Sequence, residues 1–164
     1  MLDPKQTKKF IANVLEQDLK PYCSHEAVHQ LLFTCAVESD LGTYFEQING
    51  PAKGFFQIEP KTEKLVWMWA FENHDMLFKA IVRNCTGDIF GGFDLKGNFR
   101  YQIIIARANY YSWPAALPIV SNPVDTASVK RMAEYWKMYW NTGKGKGVPE
   151  EAIEKYYSFV GLEI

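Results

Sequence analysis

The apolar residues of this chain recur mainly at intervals of three and four positions, the spacing that places them on one face of an α-helix. The spacing is clearest in 126–140, where the apolar positions are Val129, Met132, Ala133, Trp136, Tyr139 and Trp140. Segment 99–111 is apolar on nearly every side, which is typical of a helix in the middle of a fold. Capping residues and helix-starting prolines predict further helix starts at Asp3-Pro4, Ser24, Pro60, Asp75 and Pro149. The pattern therefore predicts a mostly α fold.

The remaining segments are typical of loops between helices. Stretches that contain several glycines at 42–54, 87–98 and 141–147 are predicted to be loops, and 43–58 or 87–98 has room for a short β-hairpin. No segment alternates convincingly between apolar and polar residues, no internal repeat is visible, and no linker separates two halves. We therefore expect residues 1–164 to form a single mostly α domain.

Composition narrows the class of protein but does not choose a function. With 48% hydrophobic and 23% charged residues in 164 positions, the chain has the composition of an ordinary globular protein. The net charge of −1 gives no overall field that would favour nucleic acid or an anionic membrane, so we expect no nucleic-acid partner. Aromatic residues make up 15% of the chain, which suits both a core and a sugar-binding cleft.

The cysteines and the first residues bear on where the protein is made. Cys23, Cys35 and Cys85 are odd in number and show no paired spacing, which favours reduced thiols over a disulfide framework. Residues 1–10 lack the apolar stretch of a secretory signal, and the strongest apolar run, 65–71, is far too short to span a bilayer. We expect synthesis in a cytoplasm without a signal peptide, no membrane insertion, and delivery by another agent if the protein acts outside.

Residues 25–29 spell HEAVH, the pattern of a zinc peptidase helix, in which two histidines four positions apart bind one metal. A catalytic zinc also needs a third protein ligand, and the candidates, none with a recognised spacing to this pair, are His74, Glu38 and Glu46. Ser24 is the expected cap of this helix, so the histidines would lie in its first turns and Glu26 would face the helix dipole. We therefore interpret HEAVH as structural, expect no metal or other cofactor, and keep a zinc peptidase as the less favoured alternative.

Glu38 lies at the other end of the same helix, seven positions after Leu31. On a helical wheel Val28, Leu31, Leu32 and Cys35 form one apolar stripe, and Glu38 falls at its edge near the C-terminus. Burial and the negative end of the helix dipole both disfavour a charged carboxylate, so both would raise the pKa of Glu38. A carboxyl that keeps its proton near neutral pH is what general acid catalysis needs. On position alone, a solvated glutamate without a role is the alternative.

An ordered motif follows in ESDLGTYFEQINGPAKGFFQIEPKT, residues 38–62. Glu-Ser is followed by a loop, then by Ala-x-Gly-x-x-Gln at 52–57 and by Pro-x-Thr at 60–62. This order and spacing resemble the lytic transglycosylase and goose-type lysozyme superfamily. The later chain, 106–159, looks like members associated with bacteriophage particles, although 108–112 reads Ala-Asn-Tyr-Tyr-Ser where cellular members have Ala-Tyr-Asn-Ala-Gly.

The resemblance implies a lysozyme-like fold and cleavage of the β-1,4 bond between N-acetylmuramic acid and N-acetylglucosamine in peptidoglycan. Glu38 would be the general acid and base. Ser39 and Gln57 would hydrogen-bond the sugar or its N-acetyl group, and Gly54 would let the backbone approach the glycan closely. Tyrosines would flank the reacting sugar, the candidates being Tyr110 or Tyr111 and Tyr156 or Tyr157.

A second carboxylate would distinguish the two reactions known in this superfamily. In a two-carboxylate glycosidase, Glu46 is the candidate partner of Glu38, because its loop has the length to fold back over the cleft. Lytic transglycosylation needs no second acid, since the substrate's own 6-hydroxyl can attack. We expect this second route and 1,6-anhydromuramyl products.

The partners implied by the resemblance are peptidoglycan glycan strands and, as further candidates, other proteins of a phage particle. The implied location is a phage virion, made in a bacterial cytoplasm and acting on the host cell wall. The rival interpretation is a non-catalytic glycan-binding or structural component of such a particle, in which the fold persists without the chemistry. Retention of Glu38 favours the enzyme, because binding alone requires no desolvated acid.

Overall fold

A computed structural model describes residues 1–87, 92–142 and 145–162, and there the chain is mostly α-helical, which confirms the predicted fold class. The helices are α1 (Pro4–Asp18), α2 (His25–Ser39), α3 (Pro60–Asn73), α4 (Asp75–Asn84), α5 (Phe93–Gly97), α6 (Phe99–Tyr111), α7 (Thr126–Trp136) and α8 (Pro149–Phe159). A 3₁₀ turn at Lys20–Tyr22 precedes α2, and a π-helical turn at Lys137–Asn141 continues α7. Over the described ranges, no helix is both long and apolar enough to cross a membrane.

Side-chain caps and prolines fix the helix starts where they were predicted. Asp3 Oδ1 accepts a hydrogen bond from the Gln6 amide at 2.8 Å. Ser24 Oγ accepts one from the Ala27 amide at 3.1 Å. The prolines predicted to begin α3 and α8 occupy the first positions of those helices. Each of these signals acts within one helical turn, which is why the helix starts could be predicted from the sequence.

Helices α2 and α6 form the centre of the molecule. Helix α2 packs against α1, α6, α7 and α8, while α6 also packs against α1, α3, α4 and α5. Burial of α6 from Tyr101 to Ala108 confirms the central helix predicted there. Helix α2 is buried on all sides from Ala27 to Val37, so the single apolar stripe drawn on its wheel was too narrow. Its polar side chains bond inside the core: the Thr34 and Tyr110 hydroxyls are 2.7 Å apart, and Gln30 Nε2 donates to Tyr110 at 3.4 Å.

One predicted loop is partly helical. Within 87–98, the short helix α5 begins beside Asp94, whose carboxylate accepts hydrogen bonds from two preceding backbone amides, both at 2.9 Å. Asn98 Nδ2 donates to the same carboxylate at 3.0 Å. These side-chain bonds organise a stretch whose glycines by themselves favoured a loop. Residues 88–91 and 143–144, which belong to predicted loops, lie outside the described residues.

The segment 43–58, which had room for a hairpin, contains no β-strand. Two isolated antiparallel bridges join its backbone, Glu46 with Lys53 and Lys53 with Ile58. The Phe55 amide donates to Gln102 Oε1 at 2.7 Å, which fastens the segment to α6. The loop is therefore held by the helices beneath it instead of by a sheet of its own.

The three cysteines are free thiols, in agreement with the prediction that they form no disulfide framework. Cys35 is buried within α2, and Cys23 and Cys85 are half-buried. Burial raises the pKa of the Cys35 thiol to about 12, so this thiol stays protonated and unreactive.

Candidate active site

Glu38 lies on the wall of a cleft of about 490 Å³. The cleft forms where the end of α2 meets the loop that follows it, the start of α3, the end of α6 and the π-helical turn. Its polar and aromatic lining residues include Gln57, Glu59, Thr62, Asn109, Trp140 and Lys146. Its volume is in the range of about 300–1,000 Å³ that is usual for small-molecule sites.

The Glu38 carboxyl is half-buried, and its Oε1 accepts a hydrogen bond from Trp136 Nε1 at 2.8 Å. Burial raises the pKa of Glu38 from 4.5 to about 7, while the Trp136 hydrogen bond and the Lys155 ammonium act in the opposite direction. Near neutral pH a large fraction of Glu38 therefore keeps its proton. That is the state in which a carboxyl can act as a general acid.

The ammonium group of Lys155, from the last helix, binds the C-terminus of α2. Lys155 Nζ of α8 donates to the Val37 carbonyl at 3.0 Å and to Asp40 Oδ1 at 2.8 Å. The helix end was expected to raise the pKa of Glu38, but Lys155 offsets that negative potential and lowers the pKa. Burial is therefore the cause of the raised pKa.

Gln57 reaches the same cleft from the loop, so the structure brings together Glu38 and the glutamine of the motif. The backbone of Gln57 has a φ of +46°, which is uncommon for a residue other than glycine. Its side-chain Nε2 donates to the Gly54 carbonyl at 2.8 Å, which fixes the amide at the cleft wall. Such backbone strain is often found at functional sites.

Ser39 and Gly54 do not line the cleft, although the motif assigned them to substrate. Ser39 is fully buried, and its hydroxyl donates to the Cys35 carbonyl at 3.0 Å and accepts from the Gly42 amide at 2.9 Å. Gly54 has a φ of +75°, and a Cβ at this position would overlap the Leu95 carbonyl. Both residues stabilise the end of α2 and the loop that follows it, and neither lines the cleft.

The tyrosines assigned to the reacting sugar lie elsewhere. Tyr110 is 1% exposed and packs behind Trp140, with the ring centroids 5.0 Å apart. Tyr156 is equally buried in the core, and its neighbour Tyr157 does not line the cleft either. Tyr111 is exposed but faces a separate cavity. The resemblance assigned these residues to the sugar, whereas in the structure Tyr110 and Tyr156 belong to the packing of α6 and α8.

Glu46 is exposed and forms an ion pair with Lys96, whose hydrogen bond and charge lower the pKa of Glu46. Gln47, next along the loop, lines the cleft where Glu46 does not. A second carboxylate does line the cleft with Glu38: it belongs to Glu59, immediately before α3. No local motif had singled out Glu59.

Sequence reasoning also missed Asn109 and Trp140, because both occupy helical positions that indicated a core. Besides lining the cleft, they border a second cavity of about 430 Å³ that adjoins it. The second cavity shares Thr62 with the cleft as well, and its walls add Leu65, Trp69, Trp113 and Tyr139. The two cavities adjoin along these shared residues, and we call them together the groove: it is polar around Glu38 and aromatic beyond Trp140.

The HEAVH segment begins α2 as expected, with Ser24 as its cap. The His25 and His29 rings lie 4.4 Å apart, but the part of the chain that the structure describes holds no group of three or more His, Cys, Asp or Glu residues placed to bind a metal. His29 is 1% exposed, and among the described residues neither of its ring nitrogens has a hydrogen-bond partner. Burial lowers the pKa of His29 to about 4, so the ring is neutral at pH 7.

The His29→Leu protein should be at least as stable as wild type at pH 7, because an unpartnered buried polar group costs about 1–3 kcal/mol. The folded pKa of His29, about 4, lies below its unfolded value of 6.5. The contribution of His29 to stability is therefore full above pH 6.5 and declines as the pH falls toward 4. Urea unfolding should accordingly show less loss of stability on acidification in His29→Leu. His25→Leu, an exposed control, should behave like wild type.

A fall of more than about 2 kcal/mol in the unfolding free energy of His29→Leu at pH 7 would contradict the structural interpretation of HEAVH. It would indicate a polar or metal partner of His29.

No known protein family, curated protein or solved structure matches this chain. The functional interpretation therefore depends on the residues of the cleft themselves. They combine a carboxyl of raised pKa, side-chain amides and an aromatic extension.

Proposed function

We propose that this protein cleaves peptidoglycan strands at the β-1,4 bond between N-acetylmuramic acid and N-acetylglucosamine, with Glu38 as general acid and base. The observation that carries the proposal is the Glu38 carboxyl, which lines a cleft of about 490 Å³ and has its pKa raised to about 7. Glycoside cleavage needs a carboxylic acid that still holds its proton when the leaving oxygen departs. The resemblance of 38–62 to lytic transglycosylases supports the same reaction.

In this mechanism Glu38 gives its proton to the glycosidic oxygen while the bond from C1 of N-acetylmuramic acid to that oxygen breaks. Trp136 holds Oε1 of the carboxyl through a hydrogen bond of 2.8 Å, so the acid proton is expected on Oε2. After the leaving sugar departs, the Glu38 carboxylate accepts a proton from the incoming hydroxyl. Glu38 thereby returns to its starting state.

The groove offers an N-acetylated glycan both hydrogen bonds and apolar surfaces. The amides of Gln57 and Asn109 and the Thr62 hydroxyl suit sugar hydroxyls and N-acetyl groups. Trp140 stands where the cleft meets the second cavity of about 430 Å³. There, an adjoining sugar could pack on Trp69, Trp113 and Tyr139.

The second half of the reaction decides between hydrolysis and transglycosylation. Glu46 pairs with Lys96 outside the cleft, which disfavours it as a nucleophile or base. Transglycosylation needs no second carboxylate, because the 6-hydroxyl of N-acetylmuramic acid bonds to C1 and gives its proton to Glu38. We therefore propose 1,6-anhydromuramyl products. For a hydrolytic reaction, Glu59 is the candidate base.

The second candidate function is non-catalytic glycan binding as a component of a phage particle. The aromatic cavity favours it, since that surface would serve binding alone. Binding does not need a carboxyl with a raised pKa, so Glu38 favours the enzyme. Under both candidates we propose a place on a phage virion that faces the host cell wall, with other virion proteins as partners, on the resemblance to phage-particle members.

Digestion of purified peptidoglycan, with the soluble fragments identified by mass, tests the proposal. We expect fragments that end in 1,6-anhydro-N-acetylmuramic acid and only partial loss of activity in Glu46→Gln. Reducing muramyl ends would establish hydrolysis, and Glu46→Gln and Glu59→Gln would then show which carboxylate is the base. Absence of muramyl fragments would contradict the proposal that the protein is a peptidoglycan-cleaving enzyme. Cleavage of peptide bonds that a zinc chelator prevents would indicate a zinc peptidase.

The Trp136→Phe protein should lose activity at a higher pH than wild type as the medium is made alkaline. The Trp136 hydrogen bond stabilises the Glu38 carboxylate, so its removal raises the pKa of Glu38 above about 7. Activity falls as Glu38 loses its proton, and the descending limb of the pH–activity profile should move with that pKa. Trp67→Phe is the matched control, because Trp67 is also buried and donates to the Tyr101 hydroxyl at 2.7 Å.

In the Trp67→Phe control the descending limb should stay where it is in wild type. A limb that also stays in place in Trp136→Phe would show that a group other than Glu38 controls activity at high pH.

A further inference from the structure

Arg107 brings a positive charge into the interior of the protein. The residue is 7% exposed, its Nε donates to the Tyr22 carbonyl at 2.9 Å, and its guanidinium carbon lies 5.3 Å from the centre of the Tyr111 ring. Among the described residues, Nη1 has no hydrogen-bond partner and no acidic side chain forms an ion pair with Arg107. Buried charges are normally paired, because an isolated one is poorly stabilised away from water. The unpaired charge points to an anionic ligand.

Arg107 lines a cavity of about 590 Å³, which we call the Arg107 cavity. This cavity has no lining residue in common with the Glu38 cleft. Its walls are mainly aromatic and apolar, from Tyr111, Trp113, Pro114, Leu117, Ile119 and Tyr135. Such a lining suits a ligand that carries one anionic group on an otherwise neutral body.

Two further residues of the Arg107 cavity, Glu26 and His74, affect which anion it would accept. Glu26, in the first turn of α2, places a carboxylate on the same cavity. A phosphate dianion would be repelled by Glu26 about twice as strongly as a single negative charge. A carboxylate matches the planar guanidinium, and the His74 imidazole supplies another hydrogen-bonding group. The lining therefore favours a monoanionic carboxylate.

The Arg107 cavity adjoins the proposed glycan groove, because Trp113 lines both. Trp113 borders both the Arg107 cavity and the cavity of about 430 Å³, and the latter shares Asn109 and Trp140 with the Glu38 cleft. In peptidoglycan, a stem peptide branches from N-acetylmuramic acid and ends in a free carboxylate. We propose that the Arg107 cavity binds the C-terminal carboxylate of a stem peptide, an inference that rests on the proposed glycan-cleaving function.

Titration calorimetry with a glycan-free probe tests this site independently of catalysis. Wild-type protein is titrated with N-acetyl-D-alanyl-D-alanine, with the same dipeptide as its C-terminal amide, and with inorganic phosphate. The carboxylate should bind at least about tenfold more tightly than the amide or phosphate, the factor that a hydrogen bond to a charged group contributes. Equal binding of acid and amide, tighter binding of phosphate, or no binding of the carboxylate would each overturn the proposal.

Arg107→Met removes the charge but keeps a long side chain, and it should weaken carboxylate binding by at least about tenfold. The melting temperature is measured alongside, because the replacement also removes the hydrogen bond from Arg107 Nε to the Tyr22 carbonyl. Arg100→Met is the matched control on the same helix: Arg100 pairs with Asp18 at 2.6 Å, and its replacement should leave binding unchanged. Unchanged binding in folded Arg107→Met would overturn the proposal. If that variant does not fold, the binding of the dipeptide acid and of its C-terminal amide to wild-type protein tests the proposal instead.

Digestion kinetics distinguish failure of this proposal from failure of the proposed function. On peptidoglycan with intact stem peptides, Arg107→Met should show a raised KM and an unchanged kcat. On glycan strands stripped of peptides, Arg107→Met and wild type should be alike. Wild-type protein that cleaves neither substrate would overturn the proposed function, and with it the stem peptide as ligand. Equal KM values on the intact substrate would overturn the stem-peptide assignment alone.

Discussion

The Glu38→Gln protein is expected to release muramyl fragments from peptidoglycan about 10²–10⁴-fold more slowly than wild type, which is the usual contribution of general acid catalysis. Glutamine keeps the size of the side chain, and its amide oxygen can still accept the Trp136 N–H that lies 2.8 Å from Glu38 in wild type. It has no acidic proton to give to a leaving oxygen. Initial rates of fragment release, measured below pH 7 where wild-type Glu38 is mainly protonated, provide the comparison.

The stability of Glu38→Gln should also differ from that of wild type in a pH-dependent way, and measuring it shows whether the variant has folded. The folded pKa of Glu38, about 7, lies above the unfolded value of 4.5, so its contribution to stability is full below pH 4.5 and is lost as the pH rises through 7. The melting temperature of Glu38→Gln relative to wild type should therefore rise over this range. Glu72→Gln, exposed on α3, is the charge-matched control and should change neither rate nor stability. Near-wild-type activity in folded Glu38→Gln would remove Glu38 from the mechanism.

The Gly54→Ala protein is expected to lose about 2–5 kcal/mol of unfolding free energy, from an unfavourable backbone conformation and from overpacking together. Gly54 has a φ of +75°, which alanine rarely adopts. The added Cβ would overlap the Leu95 carbonyl and Gln102 Oε1. Gln102 cannot move freely, because Oε1 already accepts the Phe55 amide at 2.7 Å. Urea unfolding measures the loss.

Gly97→Ala is the matched control, because a Cβ at Gly97 would meet nothing within 4 Å. Its unfolding free energy should stay within about 0.5 kcal/mol of wild type. The pair also separates two roles for Gly54. Close approach to a glycan predicts lower activity in a stable protein, whereas packing against Leu95 and Gln102 predicts lower stability. A Gly54→Ala protein within about 0.5 kcal/mol of wild type would contradict the packing role.

Most of the fold was predictable because its signals are local. The starts at Asp3-Pro4, Ser24 and Pro60 depend on hydrogen bonds or backbone angles within one helical turn, which the sequence specifies directly. Helix α5 was missed because it is organised by Asp94, which accepts hydrogen bonds from residues both before and after it. A glycine-rich composition does not reveal such a network.

Of the candidate site, only the residues that belong to the motif in 38–62 could be predicted from the sequence. Glu38 and Gln57 belong to that motif, and both line the cleft. Trp136, which bonds Glu38, comes 98 positions later, and Lys155 approaches from α8. No local pattern couples residues so far apart. The resemblance assigned Tyr110 to the cleft, but a sequence motif does not show which way a side chain points, and Tyr110 packs behind Trp140.

The role of Glu38 as proton donor is tested most directly by titration of its own carboxyl. Carbon NMR of protein labelled at the glutamate carboxyls follows each group with pH, and the signal missing from Glu38→Gln identifies the resonance. We expect that resonance to titrate with a pKa of about 7. A Glu38 carboxyl that titrates near the ordinary value of 4.5 would contradict its role as the acid of this cleft.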